Sequence, residues 1–178
     1  MKTLSSDNRV RRLSLDAAFL GLTLILSFVE VMIPLTAWIP LPGFKLGLSN
    51  IGILAAAYCC SVSDCAAVSA GKVIITSLLF GNITSFLFSA SGAVCVTVIL
   101  AVLKGSRAMG NCFSFVGISV LCAVCHNMGQ LFAAMIVMNG TAVFSYAPAL
   151  LIASCLYGTV NGLILNFILP RVSAFKGV

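Results

Sequence analysis

Residues 117–138 read GISVLCAVCHNMGQLFAAMIVM, an apolar run of membrane length that carries His126, Asn127 and Gln130 in its middle. About 20 such residues span the hydrocarbon core of a bilayer as a helix. On a helix His126 and Gln130 share a face, with Asn127 beside them. Gly117, Ala123 and Gly129 are small enough for neighbouring helices to approach closely. Polar side chains in such a run are costly against lipid, so this face is expected to look into the protein.

The rest of the chain has the same character. Of its 178 residues, 61% are hydrophobic and 8% charged, against roughly 25% charged in an average soluble domain. We expect an all-α integral membrane protein, a single bundle of about six transmembrane helices occupying 15–169, with polar tails at 1–14 and 170–178. The net charge of +6 does not point to nucleic acid, because the cations lie between apolar runs and form no water-facing stripe. The eight cysteines lie mostly within apolar runs, where Cys acts as a small hydrophobe, and they are expected to be reduced. Cys122, Cys125 and His126 spell the haem-attachment pattern C-x-x-C-H, but mid-helix and in a Cys-rich chain. No cofactor or metal is expected.

The first tail carries Lys2, Arg9, Arg11 and Arg12 before an apolar run at 15–35. That run lacks a small-residue cleavage site and reads as a retained helix. It carries Ala17 and Gly21, a small-xxx-small pair, and Glu30 near its far end. The stretch TAWIPLPGFK, 36–45, has two prolines and a glycine, which forbid a regular helix, and reads as a loop or re-entrant cap. A second, short run at 46–61 carries Ser49 and Asn50 in its first turn. Asp64 reads as the N-cap of a third helix, which runs to Phe80 with Lys72 in its middle. A fourth helix at 84–103, a fifth at 112–138 and a sixth at 149–169 complete the bundle, the sixth with Asn161 and Asn166.

Six helices place both termini on one side. That side collects Lys2, Arg9, Arg11, Arg12, Lys104, Arg107, Arg171 and Lys176, against Lys45 on the other, so the termini are expected to be cytoplasmic. Counting about 1.5 Å per residue from the cytoplasmic ends, Glu30, Asn50, His126 and Gln130 fall toward the outer half and Lys72 near the middle. These groups, with Lys45 and Asn127, are the candidate ligand-binding residues of an outward pocket. Phe80, Phe86, Phe88 and Trp38 would supply its apolar wall. Lys45 and Lys72 favour an anionic ligand; a Glu30 to Lys72 ion pair is the structural alternative.

Four segments carry a family resemblance: KLGLSNI at 45–51, the stretch around Lys72 ending SLLFG at 77–81, FLFSASG at 86–92, and GISVLCAVCHNMGQL at 117–131. They resemble the Gx transporter family, also named heptaprenyl diphosphate synthase component I, over about 15–169. That family is similar to the substrate-binding S components of energy-coupling factor (ECF) importers, six-helix proteins that hold a ligand beneath the loop after helix one. The resemblance implies that Ala17 and Gly21 dock onto a transmembrane coupling protein driven by ATPase subunits, although the family pattern is Ala-x-x-x-Ala and this chain has glycine second. The chain has no Gly-x-x-x-x-Gly-Lys-[Ser/Thr] phosphate loop of its own. Read literally, the synthase name suggests a prenyl-elongating enzyme, which needs carboxylates to hold Mg²⁺ and diphosphate. The acids are Asp7, Asp16, Glu30 and Asp64, none adjacent, so only an accessory, non-catalytic role in isoprenoid metabolism fits that name.

Overall fold

The computed structural model describes residues 3–32, 47–80, 83–106 and 113–175, and the side chains within them apart from those of 3–8, 31, 80 and 172–175. The described residues form six α-helices and one 3-10 turn: α1 (Thr3–Met32), α2 (Asn50–Cys59), α3 (Val62–Phe80), α4 (Ile83–Gly105), α5 (Phe115–Met138), the turn Thr141–Tyr146, and α6 (Ala147–Phe175). Five of these are long and apolar enough to cross a membrane. The chain is thus an all-helical protein with several candidate membrane spans. The exception is α2, whose ten residues rise about 15 Å, half the roughly 30 Å of a hydrocarbon core.

Three boundaries differ from expectation for physical reasons. The polar segment before Leu15 continues α1 back to Thr3, since it contains neither proline nor glycine. α6 runs through Pro170 to Phe175; beyond the proline, the Arg171 guanidinium lies over the Phe167 ring at 3.7 Å and donates to its carbonyl at 3.3 Å. Asp64 is not the N-cap of α3 but its third residue. Its Oδ2 accepts from Ser61 N at 3.0 Å while its own N–H donates to Ser61 Oγ at 3.3 Å, a capping box that makes Ser61 the cap.

Helix α2 is the buried centre. Ile51, Ile53, Leu54 and Ala55 to Ala57 are each at most 3% exposed, so this helix meets protein all round. They join Phe19, Val96, Leu100, Ile118 and Leu165 in the larger apolar cluster. A smaller one gathers Phe88, Leu131, Ala134, Val143 and Leu150. Of the aromatic side chains expected to line a pocket, Phe88 therefore packs in a core and Phe86 faces outward, 40% exposed; Trp38 and the Phe80 side chain lie outside the description. Outer faces are apolar, with Leu78, Ile83 and Ile136 more than 70% exposed, as a lipid-facing surface requires.

Glycines set the helix crossings. A Cβ on Gly158 or Gly162 of α6 would lie 2.5 Å from the Cα of Val120 or Val116 on α5. A Cβ on Gly129 of α5 would meet the Ser91 carbonyl at 2.8 Å and Cys95 Sγ at 2.8 Å on α4, and Ser91 Oγ donates to the Gly129 carbonyl at 2.6 Å. Gly117, expected to serve the same purpose, meets only Ser114 and Phe113 of its own helix start, at 3.5 Å or more.

One end of the bundle is tied by cations. Arg12 of α1 pairs with Asp64 and donates to Ser61 Oγ at 2.8 Å and Ser63 Oγ at 3.0 Å. Lys104, in the last turn of α4, donates to the carbonyls of Ala57 and Cys60 and so caps the C-terminus of α2. The start of α1, the α2–α3 turn and the end of α4 thus share an end, hereafter the basic end.

Candidate functional site

The bundle also buries a set of polar side chains, organised in two groups. The first is built around Gly47, whose φ of +68° is readily adopted only without a Cβ. Its N–H donates to Glu30 Oε1 at 2.6 Å, and its carbonyl accepts from Asn161 Nδ2 at 2.9 Å and from the backbone N–H of Asn50 at 3.0 Å. Ser49 Oγ reaches Glu30 Oε2 at the long distance of 3.5 Å. A Cβ on Gly47 would lie 3.2 Å from Asn50 Nδ2. One residue therefore ties α1, the entry to α2, and α6 together.

The second group joins α4, α5 and α6. Gln130 Nε2 lies 3.2 Å from His126 Nε2; with the amide as donor, the ring proton sits on Nδ1. The imidazole lies against Gly92 of α4, where a Cβ would come within 2.6 Å of Cε1 and Nδ1. Asn127 Nδ2 donates to Ser154 Oγ at 2.7 Å, and that hydroxyl donates to the Leu150 carbonyl at 2.6 Å. Ser154 and Asn161 are seven residues apart, two turns along one face of α6, or about 10 Å. Tyr157 lies between them on the same helix.

The structure thus brings Glu30 and Asn50 together in one group and His126, Asn127 and Gln130 in the other. All five are at most 7% exposed. Lys72 is also buried, at 8%, and its carbonyl accepts from Thr76 Oγ1 at 2.7 Å. Two contacts fix its level: Arg12 meets Asp64, and Gly71 packs against Leu20. α1 and α3 therefore run parallel, and Lys72 stands beside Gly21, about 14 Å along α1 from Glu30. Lys45 lies outside the described residues. Ala17 is exposed and Gly21 has nothing within 4 Å of an added Cβ.

Some participants carry little signal in sequence. Asn161 reads as interhelical glue yet holds the Gly47 turn, whereas Asn166, read the same way, is exposed. Gly92 and Ser154 are marked only by being small. Asp16 and Asp64, distant in sequence, converge with Cys60, with ligand atoms within 4.8 Å of one another, but Asp64 is already engaged by Arg12 and Ser61. The seven cysteines described are free thiols.

The arrangement offers hydrogen-bond donors, acceptors and ionisable groups inside an otherwise apolar bundle, which suits binding and orientation of a polar solute. Comparison with curated proteins and with solved structures gives no match. A family model described as heptaprenyl diphosphate synthase component I matches residues 19–168, from the first membrane helix nearly to the end of the last and including both polar groups. The chain belongs to the heptaprenyl diphosphate synthase component I family.

Proposed function

We propose that this protein is the membrane-embedded substrate-binding subunit of a small-molecule importer, similar to an ECF S component, with ATP hydrolysis supplied by partner subunits. The observation that carries the reading is the burial of Glu30, Lys72 and His126 at most 8% exposed inside otherwise apolar helices. Ionisable groups at membrane depth mark a pathway or a site. Lys72, with Lys45, selects an anionic or vitamin-like amphipathic compound; His126, Asn127 and Gln130 supply orienting hydrogen bonds, and Glu30 and Asn50 the other end of the site. Ala17 and Gly21 form the docking patch for a transmembrane coupling protein, supported by their outward position on α1. Both termini are cytoplasmic in this reading. Reporter fusions at Met1 and Val178 test that orientation, and an external signal at either end contradicts it.

The test of the site is Lys72→Met, which keeps the apolar stem and removes the charge. Ligand binding is expected to fall in a folded protein. If Lys72 serves only to neutralise Glu30, the change strands a buried carboxylate at about 3–5 kcal/mol, and adding Glu30→Gln restores stability. Lost affinity in a well-folded Lys72→Met single variant supports the binding role, because Glu30 itself belongs to the proposed site.

The family description favours a second reading, a non-catalytic membrane component serving heptaprenyl diphosphate metabolism. Co-purification of a soluble prenyl diphosphate synthase subunit, with no retained small molecule, would select it.

A further inference from the structure

We propose that the Gly47 turn holds a small cation, either a free monovalent ion or the ammonium group of a bound compound, between the Glu30 carboxylate and the amide oxygens of Asn50 and Asn161. The proposal rests on the reading of this bundle as a ligand-binding subunit and names the chemistry of one end of its site. Donors and acceptors around Gly47 do not balance. The Gly47 N–H is spent on Glu30 Oε1, and Ser49 Oγ stands at 3.5 Å from Oε2. Asn161 turns its Nδ2 to the Gly47 carbonyl, which identifies its other amide atom as oxygen. That oxygen and Asn50 Oδ1 are both buried with no hydrogen-bond partner among the described residues, in side chains 2% and 4% exposed.

Two open amide oxygens and a carboxylate, all on buried residues around the Gly47 turn, offer nothing to an anion or to an apolar group. A hard cation takes oxygen ligands, carboxylate and amide carbonyl among them, and an ammonium brings three donors and no acceptor. Membrane transport proteins bind cations at unwound backbone, and Gly47, with its φ of +68°, lies in the turn that enters the ten-residue α2. Lys72, the other buried cation, stands about 14 Å along α1 by the register given above.

The experiment is a thermal melt of the full-length purified protein in detergent, without substrate. Sodium chloride or methylammonium chloride is titrated against choline chloride, whose nitrogen has no N–H, at constant ionic strength. We expect a saturable rise of several degrees with at least one of the two. A sodium response identifies an ion site; a response to methylammonium alone identifies the ammonium of a larger ligand. Glu30→Gln, which keeps an acceptor for the Gly47 N–H, should abolish the response. Asn50→Asp, which adds a carboxylate, should strengthen it and keeps the test open if Glu30→Gln fails to fold. No response beyond choline, or an equal response in Glu30→Gln, overturns the proposal. A response seen only in Lys72→Met also overturns it, because Lys72 is then the cation. A retained small molecule with no cation response removes this proposal and leaves the binding subunit standing; a cation response with no binding of any solute does the reverse.

Discussion

Two helices carry small residues four apart, and they use them in opposite directions. On α6, Gly158 and Gly162 face α5 so closely that a Cβ on either would sit 2.5 Å from a backbone Cα. On α1, Ala17 is exposed and Gly21 has open space. Spacing alone says that a face is flat enough for backbone contact; the neighbour decides what the flatness is for. The α6 pair is consumed in building the bundle. The α1 pair is left over at its surface, open to the docking contact proposed above.

Substitutions that fill each face separate the two uses. Gly162→Leu should have the largest effect, because backbone on α5 cannot yield as a side chain does. Overpacking typically costs about 1–3 kcal/mol, and here we expect the upper end or outright loss of folded protein, read as the monodisperse fraction on size exclusion. A wild-type melting temperature in that variant would remove the α6 pair from the interface. Gly92→Ala should cost less, toward the lower end of that range at about 1 kcal/mol, since the obstructing group is largely the His126 ring; the same change should weaken solute binding by displacing that ring. Gly21→Leu should leave stability unchanged or raise it by up to about 1 kcal/mol, as a helical glycine is replaced in open space. Pull-down of a coupling protein should nonetheless be lost. Retained co-purification would mean that the outward pair faces only lipid.

The same contrast explains what was readable in advance. The helical fold and the run of spans follow from composition and run length, and the polar groups named in the apolar runs proved buried where they are described, except Asp16, which is half-buried, and Asn166, which is exposed. The capping box at Ser61 and Asp64 was also legible, since Ser-x-x-Asp before an apolar run is its signature, yet the acid alone draws attention to itself. Partnership was not legible. Asn161 and Asn166 are the same residue type five positions apart on one helix, and their fates differ because 100° per residue turns one toward Gly47 and the other outward. Nor does sequence separation report that Asp16 and Asp64 meet. The grouping of Glu30 with Asn50 and of His126 with Gln130 depends on which helices cross at Gly47 and Gly92, a property of packing among helices.

The central claim is that the buried polar groups serve a solute and do more than hold helices together. Native mass spectrometry of the gently purified protein tests it most directly, by comparing wild type with Lys72→Met at matched melting temperature. We predict that the wild type releases a defined small molecule on activation and that the variant does not. The same small molecule retained equally by both, or none retained by the wild type while a prenyl diphosphate synthase subunit co-purifies, would contradict the account.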